Sequence, residues 1–310
     1  MSVRDFSDAD ILLADNDLNT RQSVKNILHN HGFRELRLGT NLEFVKSVLD
    51  KFMPDLLICS SDFPDGDFVG YVRMIRQGKA GHNPFVPVIT LVEEPTPELV
   101  GRILESGTDA VIAKPISTAQ LLGRIEDLIT DRKKFVVADD YVGPARRKDQ
   151  AIRGVDAPNT LSAKASGKKV SFTEIQAAIK VAKGEMTTLR FDVVGNQIAA
   201  HVTNLVPMLE RAGKVDPPIR EELIGLLDVT DGAQEKLAGT KYEHAIEMCE
   251  SIASVASSIL ATRGMLDTKE VKLLKPLSQG VQACFSGAIT TPEQVHAIVV
   301  QIRSRASAQQ

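Results

Sequence analysis

Five short apolar segments, each followed by a helical pattern, occupy residues 9–129 and constrain the fold of this region. The predicted strands are Ala9–Ala14, Leu36–Leu38, Asp55–Cys59, Val86–Val92 and Ala110–Ala113. Parallel neighbours need crossover connections, which the intervening helices supply. The alternation therefore predicts a doubly wound α/β fold, with helices on both faces of a five-stranded parallel sheet. A functional site is expected at the carboxyl ends of the strands, where Asp15, Ser60, Val92 and Lys114 fall.

Several motifs in this region resemble the response-regulator receiver family in order and spacing. They are an acidic loop after the first strand, the segment from Pro54 to the loop proline Pro64, an apolar fourth strand, and Gly107-x-Asp109-Ala110-x-x-x-Lys114-Pro115. The family uses two acids to hold magnesium, an Asp four residues before the loop proline to accept a phosphoryl group, a Ser or Thr to track that group and a Lys to neutralise it. The resemblance covers about two fifths of the chain and implies a CheY-like receiver at residues 1–130.

The chain departs from this pattern at three positions. Counting back four residues from Pro64 gives Ser60, whose neutral hydroxyl cannot form an acyl phosphate. Asn16 replaces the second acid, and Val92 replaces the residue with a hydroxyl. One carboxylate of three remains, so Asp15 is a weak magnesium candidate, and we expect no metal or cofactor.

Lys114 and Pro115 match the family motif. Without an acceptor, we expect Lys114 to form a structural ion pair with Asp15 rather than to serve catalysis. An alternative is a loop shortened by two residues, which would put Asp62 in the acceptor position. The simpler interpretation is that Asp62 is a solvated turn residue.

Residues 131–170 contain ten Lys or Arg and five Asp, together with Pro, Gly and Ser, and predict a basic, partly disordered linker. The motif Tyr141-x-Gly143-Pro144-x-Arg146-Arg147-Lys148 resembles a tail that follows receivers in many alphaproteobacterial signalling proteins. It is expected to be either a solvated tail or a segment that docks on an acidic surface of the receiver or a partner. The candidate docking residues are Tyr141, Arg146 and Arg147.

Residues 171–310 carry helical signals throughout and predict an all-α bundle of antiparallel helices. Ser171-x-x-Glu174 is a capping box at the start of a helix that is expected to stop at Gly213. The following helices are predicted from Asp216, over Lys241–Thr262, over Thr268–Ser286 with a bend or break near Pro276, and from Thr291 to about Arg303.

His201 can be compared with the phosphotransfer histidines of four-helix bundles. It lacks both the Lys-Gly that follows such histidines and the acidic residue that follows a kinase histidine, which favours a polar residue beside the apolar stripe. Asp192 and Asn196 lie one helical turn apart and could align water against a partner's phosphate, although solvated helix residues are the simpler interpretation.

Composition excludes several functions. The formal net charge is −3, Trp is absent and no stretch approaches the roughly 20 apolar residues of a membrane span, so we expect neither nucleic acid nor membrane as a partner. The N-terminus does not resemble a signal peptide, which predicts a cytoplasmic protein. Cys59, Cys249 and Cys284 lie in apolar segments and are expected to be buried.

These observations predict a non-enzymatic signalling adaptor that works through protein–protein contacts without Asp phosphorylation. Its partners would be other signalling proteins, with a possible homodimer through the helical domain. The alternative is an active phosphorelay component, phosphorylated at Asp62 or relaying phosphate through His201.

Overall fold

The computed structural model describes residues 4–138, 141–146, 153–262 and 265–308. The chain divides into two compact units, Met1–Leu189 and Arg190–Gln310. The strands are β1 Asp10–Ala14, β2 Glu35–Gly39, β3 Leu56–Ser60, β4 Asp62–Phe63, β5 Gly66–Asp67, β6 Val88–Val92, β7 Ala110–Ala113, β8 Phe135–Ala138 and β9 Tyr141–Pro144. The first helices are α1 Leu18–Asn30, α2 Leu42–Leu49, α3 Phe68–Arg76, α4 Pro97–Glu105, α5 Thr118–Thr130, α6 Thr160–Ala165 and α7 Phe172–Ala212.

The main sheet of the first unit has five parallel strands in the order β2-β1-β3-β6-β7, which confirms the predicted α/β fold. Successive side chains of β3 point to opposite faces of the sheet, so they enter two different apolar cores. Leu56 and Ile58 pack in the core that includes α1 and α5, whereas Leu57 and Cys59 pack in the core that includes α2 and α3. Every residue of β3 is buried, as a central strand requires.

The described part of residues 131–170 differs from the predicted linker. It forms the antiparallel hairpin of β8 and β9, followed by α6. Phe135, Val137 and Val142 of the hairpin are buried in an apolar cluster with Phe85. The beginning of α7 completes this cluster with Ile179, Ala182, Met186 and Leu189. The basic average composition of residues 131–170 hid a few apolar residues that alternate along the hairpin. These residues pack against an apolar surface of the same unit.

The second unit is helical, as predicted. It consists of the later part of α7, then α8 Pro217–Leu237, a 3-10 turn Glu243–Ala245, α9 Ile246–Ala261, α10 Thr268–Phe285 and α11 Pro292–Ala308. All five helices contribute to one apolar core. Helix α7 continues through Pro207, and α10 continues through Pro276, so the break predicted as one alternative for α10 does not occur.

Two further sequence predictions concern burial and membranes. The three cysteines are buried, as expected, and burial raises the pKa of Cys249 to about 12 and that of Cys284 to about 11. None of the described helices combines the length and apolar character that crossing a membrane would require.

Candidate functional site

The carboxyl edge of the main sheet brings Asp15, Ser60 and Lys114 to the ends of β1, β3 and β7. Lys114 Nζ lies 2.7 Å from Asp15 Oδ2, and the Asp15 side chain is fully buried while the Lys114 side chain is 11% exposed. The two groups form an ion pair, but their angles do not meet the criteria of a hydrogen bond. Among the described residues, Asp15 Oδ2 has no hydrogen-bond donor. The expected ion pair is therefore present, and an internal cation neutralises the buried carboxylate of this pocket.

Asp15 is held from both sides by its own loop. Its Oδ1 accepts a hydrogen bond from the Asp17 backbone N–H at 2.9 Å. Arg21 Nη1 donates to the backbone carbonyl of Asp15 at 2.6 Å and to that of Asn16 at 3.1 Å. Asn16 itself is exposed. The loop after β1 is thus fixed by contacts within the chain.

Ser60 is the last residue of β3 and is buried. Its Oγ accepts a long hydrogen bond, 3.4 Å, from the backbone N–H of Asp62. A Ser hydroxyl carries no charge, and phosphoryl transfer to an acyl acceptor requires a carboxylate nucleophile at this position. The residue at the end of the central strand therefore supplies neither an acid nor a metal ligand of useful strength.

Val92 ends β6 and is fully buried in a small apolar cluster with Val69 and Ile103. The nearest hydroxyl along β6 is that of Thr90, which lies 2.8 Å from the hydroxyl of Thr108. Thr90 is therefore engaged deeper in the fold. Val92 therefore offers no hydrogen-bonding side chain at the end of β6.

Asp62 comes two positions after Ser60, and its backbone N–H is the donor to Ser60 Oγ. It is exposed on the hairpin of β4 and β5, where it pairs with Asp67. Asp65, at the tip of this hairpin, accepts hydrogen bonds from the backbone N–H groups of Leu42 and Glu43, each at 2.9 Å. These bonds from the first turn of α2 lower the pKa of Asp65. The hairpin acids therefore cap a helix or face solvent.

The described residues contain no group of three or more His, Cys, Asp or Glu side chains arranged to hold a metal ion. Asp15 is the pocket's buried carboxylate, and Lys114 already balances its charge. Pro115 follows Lys114 through a cis peptide bond. The donor set does not fit a magnesium ion, which prefers several charged oxygen ligands.

A denser set of charges lies at the opposite, amino edge of the sheet. Asp109, just before β7, is 2.8 Å from Arg76 Nη2 and 2.9 Å from Arg132 Nε, and all three side chains are at most 6% exposed. Asp109 also accepts from the backbone N–H of Val88 at 2.9 Å. Burial lowers the pKa of Arg76 to about 10, so the guanidinium stays charged at neutral pH. We refer to Arg76, Asp109 and Arg132 as the buried triad.

The buried triad supports the hairpin of β8 and β9. Phe135 lies under both guanidinium groups, 5.2 Å from Arg76 and 5.1 Å from Arg132, which is a cation–π arrangement on a buried ring. Nearby, a Cβ on Gly143 would be 2.8 Å from the Cα of Gly107, so glycines are needed where the hairpin touches the loop before β7. The hairpin therefore sits against the amino edge with close backbone contact.

The tail motif docks on the receiver of its own chain. Arg146 Nη2 donates to the carbonyls of Leu104 and Thr108, at 2.6 and 2.5 Å, and Tyr141 Oη donates to the Pro144 carbonyl at 2.6 Å. The docking alternative thus fits better than the solvated tail, but the receiving groups are backbone carbonyls instead of an acidic surface. Arg147 lies outside the described residues.

On the second unit, His201 of α7 faces α8. Its Nδ1 is 2.9 Å from Glu222 Oε1, and Asn204 Nδ2 donates to the same oxygen at 3.4 Å. A Cβ on Gly225 would lie 2.8 Å from His201 Cε1, so the imidazole fills the space left by this glycine. We call these four residues the His201 cluster. Sequence reasoning missed Glu222 and Gly225 because they come 21 and 24 positions later on another helix.

Comparison with known proteins identifies the class of the first unit. Residues 11–126 match the family model of the response regulator receiver domain. This part of the chain is a receiver domain of the two-component response regulators, with a helical region after it. The match includes Asp15, Ser60 and Lys114, and it ends before Arg132 and the β8–β9 hairpin.

Individual relatives are distant. The phosphate regulon transcriptional regulatory protein PhoB of Klebsiella pneumoniae is 25% identical over 116 residues, which are 37% of this chain and 49% of that protein. The chain thus spans about half the length of this curated relative. A CheY-like receiver domain protein from Methanospirillum hungatei is 22% identical, with a TM-score of 0.35 over 38% of this chain and 91% of its own. A signal receiver domain from Clostridium thermocellum is 24% identical, with a TM-score of 0.35. The matched region covers 39% of this chain and 96% of that domain.

Proposed function

We propose that this chain is an atypical response regulator, a signalling adaptor that acts through protein–protein contacts and undergoes no Asp phosphorylation. The observation that carries the proposal is the identity and placement of Ser60. It ends the central strand, next to an ion pair that already neutralises Asp15. Phosphoryl transfer in such a pocket depends on positioned charge, and the carboxylate nucleophile is missing.

The neighbouring positions support the same proposal. Asn16 is exposed and uncharged, and Val92 is enclosed in an apolar cluster. Asp62, the alternative acceptor, is exposed on a hairpin whose tip is bonded to α2. We therefore favour the adaptor over phosphorylation at Asp62. The proposed partners are other signalling proteins, and the helical unit is proposed to mediate self-association. The proposed role is cytoplasmic and non-enzymatic, and it involves no nucleic acid, membrane or cofactor.

The test is the intact mass of the protein after incubation with acetyl phosphate and Mg²⁺. We expect no gain of a phosphoryl group in the wild type or in Asp62→Asn. The double substitution Asn16→Asp with Ser60→Asp restores the two absent acids and serves as the matched comparison, because it differs only in the groups under test. An acid-labile adduct on any carboxylate of the wild-type receiver would refute the proposal.

A functional version of this test measures signalling by Asp62→Asn in cells that carry the pathway. The adaptor should be nearly unaffected, since Asp62 is exposed and its pairing with Asp67 is made through the backbone. A phosphorelay component that uses Asp62 would lose its output while its fold survives. Circular dichroism of the variant separates these outcomes from simple unfolding.

A further inference from the structure

A groove of about 520 Å³ lies beside the first turns of α7, within the first unit of the chain. The other parts of the unit that line it contribute Met53, which follows α2, and His82, which lies between α3 and β6. Openings of roughly 300–1,000 Å³ hold small organic molecules, whereas a single inorganic ion would leave most of such a volume empty. The groove therefore has the size of a small-molecule site, and its lining indicates which chemistry it suits.

The floor of the groove is apolar and fixed by packing. Ile179 is 5% exposed and belongs to the apolar cluster that joins α7 to Phe85 and the β8–β9 hairpin. Met53 packs against the same cluster. Ala177 also lines the groove, and its small side chain leaves room for a ligand. This part of the lining suits an apolar or flat group.

The positive charge of the groove comes from two lysines of α7. Lys180 and Lys183 lie three positions apart, so their side chains share one side of the helix. Both are exposed, and within the described part of the chain neither forms an ion pair. Glu174, the acid on the first turn of α7, accepts from Ser171 in the capping box instead. Two ammonium groups this close repel each other, and an anion between them relieves the repulsion.

Three further polar side chains complete the lining. His82 Nε2 donates to the Asp50 backbone carbonyl at 2.9 Å, which fixes the imidazole beside the groove. Thr173 and Gln176 are exposed on α7 and offer a hydroxyl and an amide N–H group. None of the lining residues, all of which belong to the described part of the chain, carries a carboxylate. The groove therefore combines positive charge, neutral donors and an apolar floor.

We propose that this groove binds a small organic phosphate. Its phosphoryl group lies between Lys180 and Lys183, where two cations without an internal counter-ion form charge-assisted hydrogen bonds to phosphate oxygens. The rest of the molecule packs on Met53 and Ile179 and gains affinity from the burial of apolar surface. The ligand is bound without chemical change, so the site goes beyond the proposed adaptor function and does not depend on it.

The test is a calorimetric titration of the full chain, at low ionic strength, with inorganic phosphate, ribose 5-phosphate and AMP. Each probe contains the one before it, so the series adds first a sugar and then an adenine ring to the same phosphoryl group. We expect saturable binding that is roughly tenfold tighter, or more, for AMP than for inorganic phosphate. Equal affinities of ribose 5-phosphate and AMP would assign the gain to the sugar, and weaker binding of ribose 5-phosphate would assign it to the ring.

Two neighbouring alanines provide a matched pair of variants. Ala177 lines the groove, whereas Ala178 is exposed on the same helix and does not line it. Ala177→Glu puts a carboxylate and extra volume into the groove, so AMP binding should weaken roughly tenfold or more. Ala178→Glu adds the same charge outside the groove and should change the affinity by roughly threefold or less. Equal losses in the two variants would overturn the inference.

A pair of lysines on α10 controls for a general attraction of anions. Lys272 and Lys275 are exposed and three positions apart, as Lys180 and Lys183 are. Replacing both lysines of α7 with Ala should weaken AMP binding roughly tenfold or more, and replacing both lysines of α10 should leave it nearly unchanged. Circular dichroism shows whether each variant is folded. Absence of saturable binding by the wild-type protein, or equal affinities for AMP and inorganic phosphate, would overturn the inference.

Discussion

The two edges of the main sheet carry opposite kinds of chemistry. At the carboxyl edge, one ion pair between Asp15 and Lys114 remains beside the neutral Ser60. At the amino edge, Arg76 and Arg132 pair with Asp109 and lie against Phe135 of the β8–β9 hairpin, and Arg146 donates to the carbonyls of Leu104 and Thr108. One sheet therefore carries a single ion pair beside a neutral side chain at one edge, and a buried set of charges against an added hairpin at the other.

The difference lies in how each charge is satisfied. Asp109 accepts from two guanidinium groups and a backbone N–H, so both of its oxygens have partners. Asp15 has one bonded oxygen and one that contacts Lys114 without a hydrogen bond. Since unsatisfied buried charges are costly, we expect the amino edge to contribute more to stability than the carboxyl edge.

The largest expected effect is that of Asp109→Ala. It leaves two buried guanidinium groups without their carboxylate, which should lower the free energy of unfolding of the first unit by about 3–5 kcal/mol. Hydrogen exchange of the β6 and β7 amides measures this locally. Asp127→Ala, which removes an exposed acid paired with Arg124 at 3.4 Å, should change the same quantity by about 0.5 kcal/mol or less. Similar values for both variants would contradict the comparison.

Lys114→Met should have the next largest effect, because it leaves Asp15 buried without a cation. We expect a loss of about 2–3 kcal/mol, less than for Asp109 since Lys114 is partly exposed. Adding Asp15→Asn should recover part of this loss, which a double-mutant cycle measures by urea unfolding. Strict additivity of the two substitutions would mean that the pair has no role in the pocket.

Arg146→Ala should loosen the hairpin without unfolding the sheet. Its lost bonds to the Leu104 and Thr108 carbonyls correspond to about 1–2 kcal/mol. We expect faster hydrogen exchange in β8 and β9 and little change in β1 and β3. Lys134→Ala is the control, because its pair with Asp156 is largely exposed. Unchanged protection of the hairpin in Arg146→Ala would show that the tail is held by the apolar cluster alone.

The smallest effect concerns pH and Asp65. Its pKa is lowered in the folded state by bonds from the N–H groups of Leu42 and Glu43. This contribution to stability is present above the ordinary Asp range and is lost as pH falls below roughly 4. The melting temperature of Asp65→Asn should therefore be lower than that of the wild type at neutral pH, with the gap closing on acidification. Asp62→Asn, an exposed substitution on the same hairpin, is the control.

The carboxyl edge could be anticipated from sequence because each of its residues follows a recognisable strand. Spacing from Pro64 located Ser60, and the Lys114–Pro115 motif located the partner of Asp15. The amino edge could not be anticipated in this way. Arg76 and Asp109 are 33 positions apart, and the hairpin that they support was concealed by a basic, glycine- and proline-containing segment.

The second unit shows a similar limit. Periodicity predicted its helices, including the stop of α7 just before Gly213. The partner of His201 lies on α8, and helix periodicity alone does not specify which faces of two helices meet. Long-range pairing of polar side chains is therefore what the structure adds to the sequence.

An NMR titration of the full chain with Mg²⁺ and beryllofluoride, which mimics an acyl phosphate on a carboxylate, tests whether the pocket of Asp15, Ser60 and Lys114 is without an acceptor. We expect no saturable shift in the amide signals of Asp15, Ser60 and Lys114 of the wild type, and a saturable shift once Asn16 and Ser60 are both replaced by Asp. Saturable, magnesium-dependent shifts of these amides in the wild-type protein would contradict it.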